Sequence, residues 1–97
     1  MYINMMKITF DPAKRDKTLA ERGLDFADAG LVFSGLTVDI PDDRQEYGEP
    51  RVISVGHVRG RMVIVVWTPR DDGRRIISMR NANEREQARF RQRLGEG

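Results

Sequence analysis

Arginine dominates the residues of this chain that can do chemistry. Residues 51 to 97 hold eleven arginines, no lysine and five acids, a net charge of +6, whereas residues 1 to 50 hold six lysines and arginines against ten acids, a net of −4. Such a surface is most often simply solvated. Because the planar guanidinium group binds phosphate or carboxylate through two parallel hydrogen bonds, clustering in one half favours recognition of a polyanion.

The run from Thr68 to Glu86, TPRDDGRRIISMRNANERE, carries much of this charge. It ends one apolar strand, turns, and continues into a second strand with Arg75 and Arg80 at its two ends. The pattern predicts several guanidinium groups on and beside a rigid sheet, which is the support that a site for a polyanionic substrate needs.

Other common catalytic arrangements are missing from the sequence. There is no cysteine, no serine within a glycine-x-serine-x-glycine elbow and no glycine-rich phosphate loop. His57 is the only histidine, and on a strand such a residue is more often half-buried than a metal ligand. The acids from Asp39 to Glu49 could offer oxygen ligands to magnesium, but a loop so acidic is usually solvated. We therefore expect no metal and no cofactor.

RNA cleavage without a metal ion is compatible with what remains. In that reaction the ribose 2′-hydroxyl attacks its own 3′-phosphate, so the substrate supplies the nucleophile. The protein supplies charge, positioning and proton transfer, and arginines beside the phosphate can supply the charge.

Two helices are predicted in the first third of the chain. Asp11 and Pro12 have the residue types of an N-cap and a first helical position, and Gly23 of a helix end. Asp25 is a second N-cap candidate, before an apolar stripe at spacings of three, four and seven that predicts a helix to Phe33.

Strand signals follow. A short strand near Leu36 to Ile40 precedes two stronger ones, Arg51 to Val58 and Arg61 to Thr68, which Arg59-Gly60 joins as a tight hairpin. The second of these is apolar on both faces and should be central.

The last predicted strand runs from Arg75 to Arg80, after a turn at Asp72-Gly73. Simple alternation places Arg75, Ile77 and Met79 on one face and Ile76, Ser78 and Arg80 on the other. Asn83 and Glu86 have capping-box spacing for a final helix to about Leu94, and its apolar contacts should be few (Ala88, Phe90 and Leu94).

The resulting order, β-α-α-β-β-β-β-α, predicts an α+β domain with a mainly antiparallel sheet, two N-terminal helices and one C-terminal helix. We expect one domain over residues 1–97, with residues 1–5 as a frayed or misassigned extension, because Met5 and Met6 are alternative starts. The longest apolar run, Met62 to Trp67, is too short to span a bilayer, and a cytoplasmic location is expected.

The sequence resembles the BrnT-type toxins, small ribonucleases of bacterial type II toxin-antitoxin modules. RIISMRNANEREQARF is similar to the RIISAR segment of that family, and residues 10 to 33 resemble its W-D-P-x-K...N...KHG-V-x-F pattern. Gly48-Glu49-Pro50-Arg51, Gly56 and Thr68-Pro69-Arg70 follow in the same order. This chain departs from the pattern by having Phe10 in the tryptophan slot, Thr18 in the asparagine slot and Arg22 in the histidine slot.

The resemblance implies a RelE-like fold, ribonuclease activity and site residues. Arg70 and Arg80 match its arginine motifs and are the first candidates for the phosphate. Each could instead form a salt bridge to Asp71, Asp72 or Glu86. Glu49 is the motif-matched carboxylate and the candidate base, with a plain ion pair to Arg51 as the alternative.

Further phosphate contacts are expected from Lys14, Arg22, Arg51 and Arg75. Arg22 stays protonated at neutral pH and cannot act as a base. Lys14 could be merely solvated, and Arg75 could form an interior ion pair. Stacking of a base on Phe10 or Trp67 is possible, but both lie on apolar strands where core packing is the more common role.

The resemblance also implies a partner, an antitoxin with a ribbon-helix-helix DNA-binding half that assembles with the toxin as a two-plus-two complex. An acidic segment of it would cover the arginines. The alternative, which Arg22 motivates, is a non-catalytic RNA- or protein-binding module on the same fold, either an inactivated toxin or a co-repressor subunit.

Overall fold

A computed structural model describes residues 7–95, and the extension expected at residues 1–5 lies outside them. The chain forms an α+β fold, as predicted, with a five-stranded sheet of order β1-β5-β4-β3-β2. Only β1 and β5 pair in parallel; the other pairs are antiparallel. The elements are β1 (Lys7–Phe10), α1 (Pro12–Arg22), a 3-10 turn (Phe26–Asp28), α2 (Ala29–Phe33), β2 (Val38–Pro41), β3 (Val52–Val58), β4 (Arg61–Arg70), β5 (Gly73–Asn81) and α3 (Glu84–Phe90).

The ends of α1 are those that the sequence predicts. The Asp11 side chain accepts a hydrogen bond from the backbone N–H of Ala13 at 3.0 Å, and Pro12 occupies the first turn. Gly23 ends the helix with φ +69°, a left-handed conformation that glycine adopts without steric cost.

The second predicted helix begins differently. Asp25 is the N-cap, but the first turn is a 3-10 turn and α2 covers only five residues. Phe26, Ala29 and Val32 are buried, so the predicted apolar stripe makes the expected contact with the sheet.

Strand β4 is central and covered on both faces, as predicted. On one face Val63, Val65 and Trp67 pack with Phe26 in the larger core cluster; we call this the α1 face. On the other, the α3 face, Met62 and Ile64 belong to a second cluster that includes Phe90 and Leu94.

The two hairpins have different turns. Arg59 and Gly60 both have positive φ, 47° and 80°, which confirms the predicted tight turn between β3 and β4. Between β4 and β5 the turn residues are Asp71 and Asp72, so the prediction of Asp72-Gly73 is wrong by one position. Gly73 already belongs to β5, where a Cβ atom would collide with the backbone of Lys7 in β1.

A β-bulge in β5 changes which side chains share a face. Val66 lies opposite Ser78 but Trp67 opposite Ile76, which leaves Ile77 as the extra residue. Ile76 and Met79 therefore both join the core of the α1 face. The simple alternation predicted for β5 is wrong.

The same bulge brings Arg75 to the face that carries Arg80. Arg75 pairs with Thr68, two residues after Val66 on β4, so both arginines lie on the α3 face. Sequence alternation had assigned them to opposite faces.

The capping box of α3 is confirmed by two bonds, Glu86 N–H to Asn83 Oδ1 at 2.8 Å and Asn83 N–H to Glu86 Oε1 at 2.9 Å. The regular helix ends at Phe90, before the predicted Leu94, yet both of these side chains are buried, whereas Ala88 is exposed. Within residues 7–95 no helix is long and apolar enough to cross a membrane.

Candidate nucleic-acid interface

Arginines gather on the α3 face of the sheet. Arg75 lies beside Thr68, and the pairing of Val52 with Trp67 places Arg51 on the other side of Thr68. Arg70 follows two residues further along β4. Rigid strands therefore position three guanidinium groups at one end of this face.

A carboxylate joins two of these arginines. Arg70 Nη2 donates to Glu49 Oε1 at 3.2 Å, and Arg51 Nε lies 3.5 Å from Glu49 Oε2. The Arg51 guanidinium stacks on the Tyr47 ring, 3.9 Å from its centroid. We call these four residues the Glu49 cluster. The predicted ion pair of Glu49 with Arg51 is present, and Arg70 pairs with Glu49 rather than with the acids proposed from the sequence.

One donor in the Glu49 cluster is left unused. The Nε atom of Arg51 is buried and makes no hydrogen bond, because 3.5 Å to Glu49 is an electrostatic contact beyond the usual N–H···O range. A buried donor without an acceptor is costly, so an oxygen atom that replaces the Glu49 carboxylate here would gain a hydrogen bond.

A second carboxylate pairs with Arg80. Arg80 Nη1 and Nη2 donate to Glu86 Oε1 and Oε2 at 2.8 and 2.7 Å, a two-point bond. These bonds lower the pKa of Glu86 to about 2, and the same pair raises the pKa of Arg80. Because Glu86 Oε1 also accepts from Asn83 N–H, the pair is tied to the start of α3; we call Arg80, Asn83 and Glu86 the Glu86 cluster.

A depression of about 280 Å³ with an aliphatic floor and a charged rim lies beside the Glu86 cluster. We call it the Arg80 groove. Its rim carries three arginines, Arg44, Arg80 and Arg89, and its floor is aliphatic, formed by Ile40, Ile53, Val55, Ile64 and Val66.

Arg44 is held at this rim by a buried acid. Its Nε and Nη2 donate to the two carboxylate oxygens of Asp42 at 2.7 and 2.8 Å, and the Asp42 side chain is fully buried. The guanidinium group holds the pKa of Asp42 at about 2.

Arg70 and Arg80, expected to act together, do not converge. Arg70 lies opposite Gly73 and Arg80 opposite Ile64, so six residues of β4, roughly 20 Å at about 3.3 Å each, separate them. Each contacts its own carboxylate.

Lys14 and Arg22 share another depression, at the edge of β5, with Ile77 and Ser78. Arg22 Nη1 donates to the backbone carbonyl of Met79 at 2.9 Å, beyond the point where β1 stops pairing with β5. Ser78 also lines the Arg80 groove, so the two depressions adjoin.

Phe10 and Trp67 both have packing roles. Phe10 meets Phe26 edge to face with ring centroids 6.0 Å apart, and Trp67 is buried with its Nε1 donating to Ser54 Oγ at 2.8 Å.

Three arginines were missed by sequence reasoning. Arg74 stacks over the rings of Phe33 and Trp67, 4.1 and 4.5 Å from their centroids, and burial lowers its pKa. Arg44 was not considered, because only the acids of its loop were weighed, although its spacing from Asp42 could have suggested the pair. Arg89 lies three residues after Glu86, on the same side of a helix, a signal that was available.

Among residues 7–95 no three histidine, aspartate or glutamate side chains come together as a metal site would require.

A comparison with known protein families finds a match. A family model described as a ribonuclease toxin, BrnT, of a type II toxin-antitoxin system matches residues 10–86, which include every candidate residue from Lys14 to Glu86. No curated protein matches the chain significantly.

Proposed function

Since this chain belongs to the BrnT family of ribonuclease toxins of type II toxin-antitoxin systems, we propose that it is an endoribonuclease that cleaves RNA without a metal ion and so inhibits translation. The proposed cleavage centre rests on the geometry of the Glu49 cluster. In this cluster a carboxylate lies between two guanidinium groups, and one buried donor lacks an acceptor.

In the proposed reaction Glu49 takes the proton of the ribose 2′-hydroxyl. The 2′-oxygen forms a bond to phosphorus, the bond to the 5′-oxygen breaks, and the leaving 5′-oxygen receives a proton from water. The products are a 2′,3′-cyclic phosphate and a 5′-hydroxyl. Arg51 and Arg70 stabilise the charge that develops on the phosphate, an effect that in other enzymes changes rates by about 100- to 1,000-fold per donor.

The substrate must first displace Glu49 from its arginines. Its contacts with them are long, 3.2 and 3.5 Å, and Arg70 is about half exposed. A phosphate that binds Arg51 and Arg70 satisfies the buried Nε atom and leaves the carboxylate beside the reacting ribose.

The other arginines hold the rest of the strand. Arg75 lies in the row of Arg51, and Arg80 is further along the same face, so in this proposal they bind successive phosphates. The depression with Lys14 and Arg22 extends this path around the edge of β5. A single-stranded substrate is favoured because it can bend over a sheet edge.

Cleavage in EDTA tests the proposal. Purified protein freed of any partner should cut single-stranded RNA in the presence of the chelator and leave 2′,3′-cyclic phosphate ends. The matched control is Glu49→Gln prepared in parallel, which excludes a contaminating nuclease if it is inactive. Failure to cut any RNA, together with normal growth on expression, would remove the enzymatic proposal.

A non-catalytic binding module is the second candidate, and Arg22 favours it. This residue stands where the family pattern has histidine, and its guanidinium is engaged with the carbonyl of Met79. Arg22→His discriminates the two candidates. If the variant cleaves RNA and the parent does not, the present chain is a binder; if both cleave, histidine is dispensable.

Membership of a type II family implies an antitoxin partner. We propose that this partner carries a ribbon-helix-helix DNA-binding region, forms a two-plus-two complex with the toxin in the cytoplasm, and is encoded by the neighbouring gene. An acidic segment of it would cover Arg70 and Arg80. Co-expression should give a stable complex in which both arginines are protected from a guanidinium-modifying reagent. A complex that leaves them reactive and still cleaves RNA would contradict neutralisation by covering.

A further inference from the structure

The proposed RNA cleavage uses only Arg80 of the Arg80 groove and gives no role to its aliphatic floor. Its floor consists of five aliphatic side chains, and Ile40 and Ile53 remain partly exposed there. Proteins bind unstacked bases mainly on aromatic or guanidinium planes and through polar edges. The only aromatic residue of the lining, Phe90, is 4% exposed and packs in the core. The floor therefore suits aliphatic side chains better than bases.

The rim of the groove selects for acidic residues. Arg44, Arg80 and Arg89 surround the floor, and the only carboxylate among the lining residues is Glu86. Glu86 shows which ligand fits, because its two oxygens meet the Arg80 fork at 2.7 and 2.8 Å. Arg89 is exposed, and its guanidinium lies 5.0 Å from the centroid of the Phe90 ring, at the floor's edge.

We propose that the Arg80 groove binds an acidic, aliphatic segment of the antitoxin, with a partner carboxylate replacing Glu86 on Arg80. The aliphatic side chains of that segment lie on the floor, and further acids meet Arg89 and the exposed side of Arg44. The existence of the antitoxin rests on the function proposed above. In the free toxin Glu86 then occupies the guanidinium group of Arg80 and competes with the carboxylate of the antitoxin for it.

Release of Arg80 does not require α3 to unfold. The Oε1 atom of Glu86 also accepts from Asn83 N–H at 2.9 Å, and the Asn83 side chain accepts from Glu86 N–H at 2.8 Å. Both bonds of the capping box can persist when Arg80 turns to the partner. Binding and helix capping thus use different bonds of the same side chain.

The proposal predicts that a variant without the Glu86 charge binds the antitoxin more tightly than the wild-type protein does. Glutamine can replace glutamate in a capping box, so Glu86→Gln keeps the start of α3 while removing the competing charge. The variant should bind the purified antitoxin of the neighbouring gene more tightly, by about tenfold, which corresponds to about 1.4 kcal/mol. Calorimetric titration measures the change. Unchanged or weaker binding by a folded Glu86→Gln protein would overturn the proposal.

Two further variants locate the partner in the groove. Arg89→Glu should weaken antitoxin binding by about tenfold or more, since it reverses a rim charge. Arg85→Glu is the matched control, because Arg85 is exposed on the same helix and does not line the groove. Ile53→Thr should weaken it through the floor while keeping a β-branched residue in β3. Equal effects of the two charge reversals would overturn the placement.

An oligouridylate titration separates a protein partner from RNA. If Ile53→Thr weakens binding of the single-stranded oligouridylate and leaves antitoxin binding unchanged, the groove is an RNA subsite and the inference is wrong. The wild-type protein's cleavage assay reports on the proposed function independently. A wild-type protein that shows the predicted antitoxin pattern but no ribonuclease activity would contradict the function and leave the groove assignment standing. Absence of any neighbouring antitoxin that binds the wild-type protein would overturn the inference.

Discussion

The Glu49 cluster and the Glu86 cluster use the same chemical groups on the same face of the sheet, yet they are built differently. Glu86 makes a two-point bond to Arg80 at 2.7 and 2.8 Å and also caps α3. Glu49 reaches Arg70 and Arg51 at 3.2 and 3.5 Å and has no second structural task among the described contacts. A carboxylate that also holds secondary structure is fixed in place, whereas one held only by long ion pairs is available for chemistry.

The strongest test of this comparison is removal of the Glu49 charge. General-base catalysis contributes about 100- to 10,000-fold to rates, so Glu49→Gln should lower the single-turnover rate of RNA cleavage by about 100-fold or more. Glu46→Gln is the matched control, because Glu46 is an exposed acid of the same loop. Wild-type rates in the Glu49 variant would show that the base lies elsewhere.

Substitutions of Arg70 and Arg80 should have different effects, one mainly on catalysis and the other mainly on RNA binding. Arg70→Ala should lower kcat by roughly 100-fold, since it removes a donor to the developing charge. Arg80→Ala should mainly raise KM, by about tenfold, and reduce the dependence of RNA affinity on the logarithm of salt concentration by about one unit, as expected for one lost phosphate contact.

Arg61→Ala is the control for these two changes, because Arg61 is exposed at the other end of β4. If Arg70→Ala and Arg80→Ala lower kcat by the same factor, the two clusters do not have the separate roles that their geometry suggests.

The stability of the fold should respond in the opposite order. Glu86→Ala removes half of the capping box and the two-point bond to Arg80, and we expect it to lower the free energy of unfolding by about 1 to 2 kcal/mol. Glu49→Ala loses only long, partly exposed ion pairs and should cost less than about 1 kcal/mol. Urea denaturation measures both, with Glu84→Ala as an exposed first-turn control. A larger loss for Glu49 would reverse the interpretation of the two clusters.

The smallest expected effect is on acid stability. The pKa of Glu86 in the folded protein is about 2, below its ordinary 4.5, because of the Arg80 bonds. A lowered pKa stabilises the fold above the unfolded value and the contribution disappears as the pH falls through the folded value.

The difference in urea midpoint between wild type and Glu86→Gln should therefore be constant above about pH 5 and shrink toward pH 2. Asp25 and Asp42, whose pKa values are also about 2, affect both proteins alike. A difference that grows on acidification would contradict the assignment.

Local sequence signals predicted the elements well, because the interactions behind them span a few residues. The caps at Asp11 and Asn83 and the turn at Arg59-Gly60 depend on neighbours in the chain, and all three were read correctly. The succession of elements along the chain and the central position of β4 followed from apolar runs, whereas the parallel pairing of β1 with β5 was not predicted. The bulge at Ile77 was not predicted, because the sequence of β5 alone does not determine which residue of β4 lies opposite each residue of β5.

The candidate site was only partly predictable, for a related reason. The capping role of Glu86 can be predicted from the four residues Asn83 to Glu86. Its bond to Arg80 instead depends on the path of the chain from β5 into α3. Glu49 lies 21 positions before Arg70, so their pairing requires the register of β3 and β4. The floor of the Arg80 groove combines residues from three strands, so no pattern along the sequence predicts it.

The parallel pairing of β1 with β5 has a consequence for folding. Lys7 pairs with Gly73, 66 positions along the chain, whereas β3, β4 and β5 follow one another through two-residue turns. Loop-closure entropy makes such a distant contact late to form, so the β3–β5 meander should assemble first and β1 close the sheet last. Backbone amides of β1 should then exchange with deuterium sooner than those of β4. The sheet would open from the margin occupied by β1, while the arginine-bearing hairpin stays intact.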